Sequence, residues 1–307
     1  MPAASNQCTE EQVLQLARRL FSYDSETETG IVCGIGDDAA VLTTADPLLF
    51  ELITVDALVS GTHFESGTPA GQVAWKAIAV NVSDIAAMGG VPTYALVAAT
   101  VPASLPAAYL VELLEGIKQA AAAFNVSVIG GDTVGGPALS LSITMTGYVE
   151  RELVCYRSGA QAGDIIAVTG PLGGSLRSGR HLNVQPRLRE ARWLVRHARP
   201  RAMMDLSDGL AKDGTRMAAA GTVRLCIDSA ALPISEGSSL EGACRDGEDF
   251  ELLCVFDPKV LNREAQEAYA AACGRPIHII GTVRDGTPGV LLDGRELEPQ
   301  GFEHFEL

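Results

Sequence analysis

One helix that is apolar on nearly every side constrains the fold more than any other feature of this sequence. Pro69 begins it and Gly89-Gly90 ends it. Between them the residues are apolar around almost the whole circumference, with Trp75, Ile78 and Val82 among them. A helix without a polar face is buried inside a protein. We therefore expect this segment to lie in the interior, covered by other elements.

Asp84 interrupts this apolar surface. At about 100° per residue it falls among Val73, Ala77 and Val80. A lone ionised carboxylate there would cost several kcal/mol, so Asp84 is neutral, paired with a base or bound to a metal ion. Lys76 is two turns away from Asp84 and lies to one side of the row formed by Val73, Ala77, Val80 and Asp84. A structural ion pair or a hydrogen-bonded carboxylate is the alternative to a metal ligand.

The order of predicted elements indicates two domains, since 307 residues are too many for one average domain. A capping box at Thr9–Gln12 predicts a helix to about Phe21. The pattern then predicts strands at 49–55, 93–101, 126–129 and 139–149, with a helix at 106–124. This order suggests an α/β or α+β sandwich with helices on one face.

The composition shifts near residues 150–163, and the pattern restarts there. We predict strands at 164–169, 223–227, 250–256 and 277–283, and helices at 187–197, 210–220 and 258–273. The domain boundary is placed near 150, which gives domains 1–150 and 151–307.

The charge and cysteine content exclude several classes of protein. Lys and Arg number 23 against 38 Asp and Glu, a net charge of −15, so the chain will not bind nucleic acid through its overall field. A polyanionic ligand needs a local basic group or a bound cation. Seven cysteines without a C-x-x-C motif argue against a disulfide framework or zinc ribbon and favour a reducing compartment. No signal peptide and no run of about 18 apolar residues is visible, so we expect a cytoplasmic protein without a membrane partner.

Acidic residues beside glycine or at the ends of apolar segments are the most informative motifs. There are five such clusters: 36–38, 54–56, 83–84, 130–132 and 205–209. Each one alone is an ordinary turn sequence. Five together indicate a carboxylate-rich site, and more than three carboxylates are typical of hard cations such as Mg²⁺, which bridges carboxylates to phosphates.

Other familiar sites are absent from the sequence. None of the four lysines follows a glycine, so there is no P-loop, and Gly34-x-Gly36 continues into Asp-Asp instead of a dinucleotide fingerprint. The protein-kinase motifs are missing. No G-x-S-x-G motif occurs, and the five histidines lack metal-ligand spacing. Any ATP site is therefore of another kind.

Seven segments together resemble the thiamine-monophosphate kinase family. They are 34–42, 54–64, 76–90, 129–133, 157–160, 205–209 and 247–252, and they appear in the family's order. The resemblance implies the two-domain fold shared with aminoimidazole ribonucleotide synthase, with an N-terminal domain that dimerises through its sheet and a C-terminal α/β domain. It implies that ATP phosphorylates thiamine phosphate to thiamine diphosphate, the last step of thiamine diphosphate biosynthesis, in a homodimer.

The resemblance also implies roles for individual residues. Magnesium ligands would be Asp38, Thr54, Val55, Asp56, Asp84, Asp132, Asp205 and Asp208. Nucleotide contacts would be Gly131, Asp132, Arg157 and Ser207, and thiamine phosphate contacts would be His63, Glu248 and Phe302. Val55 stands where a hydroxyl residue is common, so only its carbonyl could serve a metal. The short 172–184 segment suggests that a helix is missing or reduced there.

The implied reaction needs no general base, because the acceptor is a phosphate oxygen that is already anionic. The site has to align two anions and neutralise their repulsion, which several Mg²⁺ ions would do. We expect direct in-line transfer without a phosphoenzyme.

Two alternatives remain open at this stage. One is another ATP-using member of the same fold, an aminoimidazole ribonucleotide synthase or a selenophosphate synthetase. The latter needs a reactive cysteine with a nearby lysine, and Cys33 has no lysine before Lys76. A hydrogenase-maturation relative would end in cysteine, unlike this chain. The second alternative is a non-catalytic cation-binding or nucleotide-binding protein.

Overall fold

A computed structural model describes residues 10–21 and 30–302 of the chain. Within these residues the protein forms two separate β-sheets with helices packed around them. No helix in this part of the chain has both the length and the apolar character needed to cross a membrane.

The first sheet contains six strands from the first half of the chain, in the order β1-β2-β3-β6-β4-β5. All neighbours are antiparallel except β4 and β5, which are parallel because helix α3 connects them as a crossover. The elements are α1 (Glu10–Leu20), β1 (Ile31–Cys33), β2 (Ala40–Thr43), β3 (Leu49–Val59), α2 (Ala70–Ala87), β4 (Val91–Val101), α3 (Ala107–Ala123), β5 (Ser127–Gly135) and β6 (Ser140–Glu150).

The second sheet contains seven strands in the order β13-β12-β9-β11-β7-β10-β8. Its elements are β7 (Ile165–Val168), α4 (Ser175–Ser178), α5 (Leu188–His197), β8 (Ala202–Asp205), α6 (Leu210–Gly221), β9 (Arg224–Ile227), α7 (Leu240–Arg245), β10 (Leu252–Phe256), α8 (Arg263–Cys273), β11 (His278–Arg284), β12 (Gly289–Leu292) and β13 (Arg295–Glu296). The 172–184 segment holds only the four-residue α4 and a 3₁₀ turn, so the reduced helix expected there is confirmed.

Helix α2 lies between the two sheets, which explains why it has no polar face. It packs on β3, β4 and β6 of the first sheet, on β8 of the second, and on α3 and α5. The helix ends where Gly89 takes a left-handed φ of +73°, and a Cβ at that position would come within 2.8 Å of a Val195 methyl carbon. This close contact makes glycine necessary there.

The predicted mixed α/β architecture is confirmed, with some differences in the elements. The strand expected at 126–129 runs on to Gly135, and the helix expected from Pro258 begins at Arg263. Strands β1, β8, β12 and β13 and helix α7 were not predicted, and each of these strands has only two to four residues. Thr9 of the capping box lies outside the described residues. One hydrophobic cluster includes residues of both halves, so the boundary near 150 stays a prediction.

Candidate active site

The two halves of the chain share one large hollow of about 1000 Å³. The first half contributes the Gly34–Ala40 loop, strand β3 and one side of α2. The second half contributes Arg157, the end of β8 with the turn that follows it, and the loop that holds Glu248. Four of the five acidic clusters seen in the sequence reach this hollow.

Three carboxylates meet at the centre of the hollow. Asp38, Asp84 and Asp205 each offer an oxygen, and these oxygens lie within 4.8 Å of one another. Asp38 and Asp205 are buried, and Asp84 is partly exposed. Asp56 also lines the hollow, and its backbone N–H donates to the Asn81 side chain at 3.1 Å. Carboxylates this close repel one another unless protons or a cation intervene.

Short hydrogen bonds hold Asp84 and Asp205 in place. Its Oδ2 accepts the Thr54 hydroxyl at 2.6 Å, while the adjacent Ser83 hydroxyl donates to Asp205 Oδ2 at 2.5 Å. Burial raises the pKa of Asp84 well above its usual range, and the nearby carboxylates of Asp56 and Asp205 raise it further. Burial does the same to the pKa of Asp205. The charged neighbours that act on Asp84 are thus carboxylates, which disfavours a structural ion pair.

Asp38 and Arg157 form a buried ion pair at the edge of this cluster. The Arg157 Nη2 donates to Asp38 Oδ1 at 2.6 Å, and the Arg157 backbone N–H donates to Asp37. The other carboxylate oxygen, Asp38 Oδ2, is buried and has no hydrogen-bond partner among the described residues. Arg157 is therefore no solvated linker residue. A buried oxygen without a hydrogen-bond partner, on a residue that belongs to a cluster of three carboxylates, suits a cation.

The second half of the chain brings in Asp208 with two basic neighbours. Arg216 Nη1 lies 2.6 Å from Asp208 Oδ2, and Lys212 Nζ lies 3.3 Å from it. Asp213 is fully buried, accepts the backbone N–H groups of Asp208 and Gly209, and pairs with Arg216. Burial, followed by repulsion from Asp208, raises the pKa of Asp213 to about 7.

Asp213 and Arg216 were missed by the sequence analysis. The signal was present, because an Asp a few residues into a helix after Ser-Asp-Gly can bond back to the N–H groups before the helix. Ser207, which was predicted, lines the hollow and accepts the Glu248 backbone N–H at 2.7 Å.

The three predicted thiamine contacts gather at the same hollow from distant parts of the chain. His63, Glu248 and Phe302 all line it. The rings of His63 and Phe302 have centroids 6.2 Å apart, and His63 Nδ1 accepts the Val59 N–H at 3.0 Å. The Phe302 carbonyl accepts the Lys212 ammonium at 2.7 Å.

The loop that presents Glu248 has an unusual backbone. Glu248 and Phe250 have φ values of +56° and +51°, a left-handed conformation that non-glycine residues adopt at a cost. Hydrogen bonds hold it: the Ser175 hydroxyl donates to the Glu248 carbonyl at 2.6 Å, and Asp249 accepts the Gly173 N–H at 2.9 Å. Burial raises the pKa of Asp249 to about 7. Strain held in this way at a ligand-facing residue is typical of functional sites.

Gly131 and Asp132 are not brought to the acidic cluster within one chain. They lie on β5 at the edge of the first sheet and line a separate hollow of about 580 Å³. Three strand spacings separate β5 from β3, which is about 14 Å. The register that pairs Asp132 with Ala98, then Ser142, then Ala57 also places it on the opposite face of the sheet from Thr54 and Asp56.

That opposite face carries several exposed apolar side chains beside the Ser and Thr residues of β6. Val55, Tyr94, Leu96, Val134 and Tyr148 project from it and are 39–58% exposed. Val55 therefore turns its side chain away from the acidic cluster, while its neighbours Thr54 and Asp56 point toward α2.

The donor set of the hollow fits magnesium. Asp38, Asp84 and Asp205 supply closely spaced oxygens, one of them buried without a partner. Hard cations of this kind prefer carboxylate and carbonyl oxygens. The basic groups of Arg157 and Arg216 stand beside the carboxylates, so the hollow offers contacts both for cations and for phosphate oxygens.

Comparison with known proteins agrees with this site. Residues 36–149 match the family model of the AIR synthase related protein, N-terminal domain. A thiamine-monophosphate kinase of Rhodopirellula baltica is 38% identical over 299 residues, covering 90% of this chain and 92% of that protein. One from Bacillus subtilis is 36% identical, covering 89% and 93%.

A solved structure has the same fold. It is described as AaThiL complexed with AMPPCP and TMP, and it superposes with a TM-score of 0.83 at 29% identity over 97% of both chains. The identity to the curated relatives extends over nearly the whole length of both proteins. The chain therefore belongs to the thiamine-monophosphate kinase family and is a kinase.

Proposed function

We propose that this enzyme transfers the γ-phosphoryl group of ATP to thiamine monophosphate, giving thiamine diphosphate and ADP. The observation that carries the proposal is the convergence of four acidic segments and three predicted thiamine contacts on one hollow. Support also comes from the names of the relatives and from the ATP analogue and TMP in the related solved structure.

Magnesium would be held by the acidic cluster. We assign Asp38, Asp84 and Asp205 to it on their spacing, and Thr54, Asp56, Asp208 and the Val55 carbonyl on their position around the same hollow. When bound, Mg²⁺ neutralises the negative charge of the phosphates and aligns them.

The proposed contacts for the two substrates line the same hollow. His63, Glu248 and Phe302 would bind thiamine monophosphate, and Ser207 and Arg157 would bind ATP. Arg157 presents a planar fork that suits phosphate oxygens, once a cation relieves it of its pairing with Asp38.

The chain's residues then bind and orient the substrates without accepting a proton. The acceptor oxygen of thiamine monophosphate is already anionic, so its attack needs no base. Arg157 and Arg216 line the hollow, where they would stabilise phosphate charge. We assign no catalytic base and expect no covalent phosphoenzyme.

Asp132 and Gly131 could join the site only from a second copy of the chain. They lie about 14 Å from β3 and on the opposite face, so they cannot bind the same ion as Asp84 of their own chain. The exposed apolar side chains of this face, among them Val55 and Tyr94, are suited to packing against a partner sheet. We propose a homodimer in which Asp132 and Gly131 contact the nucleotide and metal of the partner.

An ADP-release assay with three acceptor conditions tests the activity. Thiamine monophosphate, free thiamine and no acceptor are compared in the presence of Mg²⁺, and the thiamine products are separated by chromatography. We expect ADP and thiamine diphosphate in equal amounts with thiamine monophosphate, and background ADP in the other two arms. Phosphorylation of free thiamine instead of the monophosphate would refute the proposal.

A further inference from the structure

We infer that Lys76 is a positioning residue that fixes the Glu248 carboxylate and the His63 segment for thiamine binding. The inference rests on the proposed function above, because Glu248 and His63 are the proposed thiamine contacts. The sequence analysis considered Lys76 only as a basic residue near Asp84 on the same helix and assigned it no role of its own.

Lys76 joins two segments that are far apart in the chain. Its Nζ lies 2.8 Å from Glu248 Oε2 and donates to the His63 carbonyl at 3.0 Å. The side chains of Lys76 and Glu248 are 1% and 8% exposed. One buried ammonium group therefore holds a loop of the second half against a loop of the first.

Because both groups are buried, the ion pair strongly constrains the positions of both side chains. A buried carboxylate or ammonium without its partner is costly, so each group holds the other in place. Glu248 Oε2 is buried, and the ammonium group of Lys76, 2.8 Å away, compensates its charge.

The ion pair with Lys76 also determines which interaction Glu248 can make with a ligand. Because Lys76 balances its charge, the carboxylate acts mainly as a fixed hydrogen-bond acceptor and only weakly as a counter-ion. Thiamine monophosphate has a suitable donor in the amino group of its pyrimidine ring. Loss of Lys76 should thus weaken binding of thiamine monophosphate and leave ATP binding and phosphoryl transfer nearly unchanged.

A double-mutant cycle tests this assignment. The variants are Lys76→Met, Glu248→Gln and the two combined, with Lys259→Met as the matched control because Lys259 is exposed and remote from the hollow. Calorimetry gives the Kd for thiamine monophosphate without ATP, and steady-state assays give kcat and both KM values.

We expect Lys76→Met and Glu248→Gln each to raise the Kd for thiamine monophosphate about 10- to 100-fold, with kcat and the KM for ATP changed less than about threefold. The combined variant should bind less than about threefold worse than Glu248→Gln alone, because Lys76 acts mainly through Glu248 and its contact with the His63 carbonyl accounts only for the remainder. It carries neither buried charge, so its comparison with Glu248→Gln decides the matter even if Lys76→Met alone does not fold.

Two results would overturn the inference. If the combined variant loses affinity by the product of the single effects, Lys76 acts independently of Glu248. If removal of Lys76 lowers kcat and weakens ATP binding equally, its role is structural. If the proposed function is wrong, wild-type protein will show no ADP release that depends on thiamine monophosphate. If only the inference is wrong, wild-type protein will be active and Lys76→Met will be indistinguishable from Lys259→Met.

Discussion

Asp84→Asn should abolish turnover while it stabilises the metal-free protein. The amide has nearly the same volume as the carboxylate and can still accept the Thr54 hydroxyl, so the fold should persist. It supplies no charge to a cation, and we expect kcat below about 1% of the wild-type value. The two effects have opposite signs, which separates a metal ligand from an ordinary structural carboxylate.

The size of the stabilisation follows from the spacing of the carboxylates. Two unit charges 4.8 Å apart repel by about 3 kcal/mol at an effective dielectric constant of about 20. Because the pKa of Asp84 is raised well above its usual range, proton uptake already relieves part of this repulsion. We therefore expect the free energy of unfolding of metal-free Asp84→Asn to exceed that of wild type by about 1–3 kcal/mol at pH 8, where ionisation of the wild-type carboxyl is most favoured.

Thermal unfolding with and without Mg²⁺ measures this balance alongside the ADP-release assay. Wild-type protein should gain stability when Mg²⁺ is added, and Asp84→Asn should gain much less. The exposed Asp285→Asn serves as the control and should behave like wild type. Near-normal turnover of Asp84→Asn at saturating Mg²⁺, or a Mg²⁺-dependent shift in Tm equal to that of wild type, would refute the reasoning.

Three further outcomes are expected. Arg157→Ala should raise the KM for ATP about 10- to 100-fold, much more than that for thiamine monophosphate, and should lower the Tm of the metal-free protein because Asp38 loses its partner; equal effects on both KM values would contradict the assigned role. The pKa of Asp249 is raised to about 7, so its contribution to stability is full below about pH 4 and lost as the pH rises through 7. The fall in unfolding free energy from pH 5.5 to 8 should therefore be smaller in Asp249→Asn by about 2 kcal/mol, and an identical pH profile in denaturant titrations would contradict this. Finally, inactive Asp84→Asn and inactive Asp132→Asn chains, unfolded and refolded together, should regain about a quarter of wild-type activity, since half the dimers would contain one intact site; no recovery in dimers that light scattering shows to be mixed would contradict a shared site.

The sequence predicts the local elements of this site better than its pairings. The apolar circumference of α2 predicts a buried helix, and Asp84 within it predicts an unusual carboxylate, because both depend on residues a few positions apart. The ion pair of Lys76 with Glu248 joins residues from the two halves of the chain, and no local pattern marks it. The pairing of Arg157 with Asp38 escaped prediction for the same reason.

The position of residues 130–132 within the sheet could not be predicted from the sequence either. Gly130-Gly131-Asp132 looks like the other acidic clusters, and nothing in it shows that β5 lies at the sheet edge. The order of strands depends on the crossover through α3 and on β6, which comes last in the sequence of this sheet but pairs between β3 and β4. Short strands such as β8 obtain their stability from neighbours on the sheet and leave little periodicity to detect.

Helix α2 also limits how the length of this chain can change during evolution. Lys76 and Asp84 are eight residues apart, about 12 Å along the helix axis. Lys76 contacts Glu248 and His63, the proposed thiamine contacts, while Asp84 belongs to the acidic cluster. Inserting or deleting one residue between them would rotate one end by about 100° relative to the other and separate both from their partners. Helix α2 should therefore keep a fixed length, whereas the turns at 172–184 can change in length without moving either end of the site.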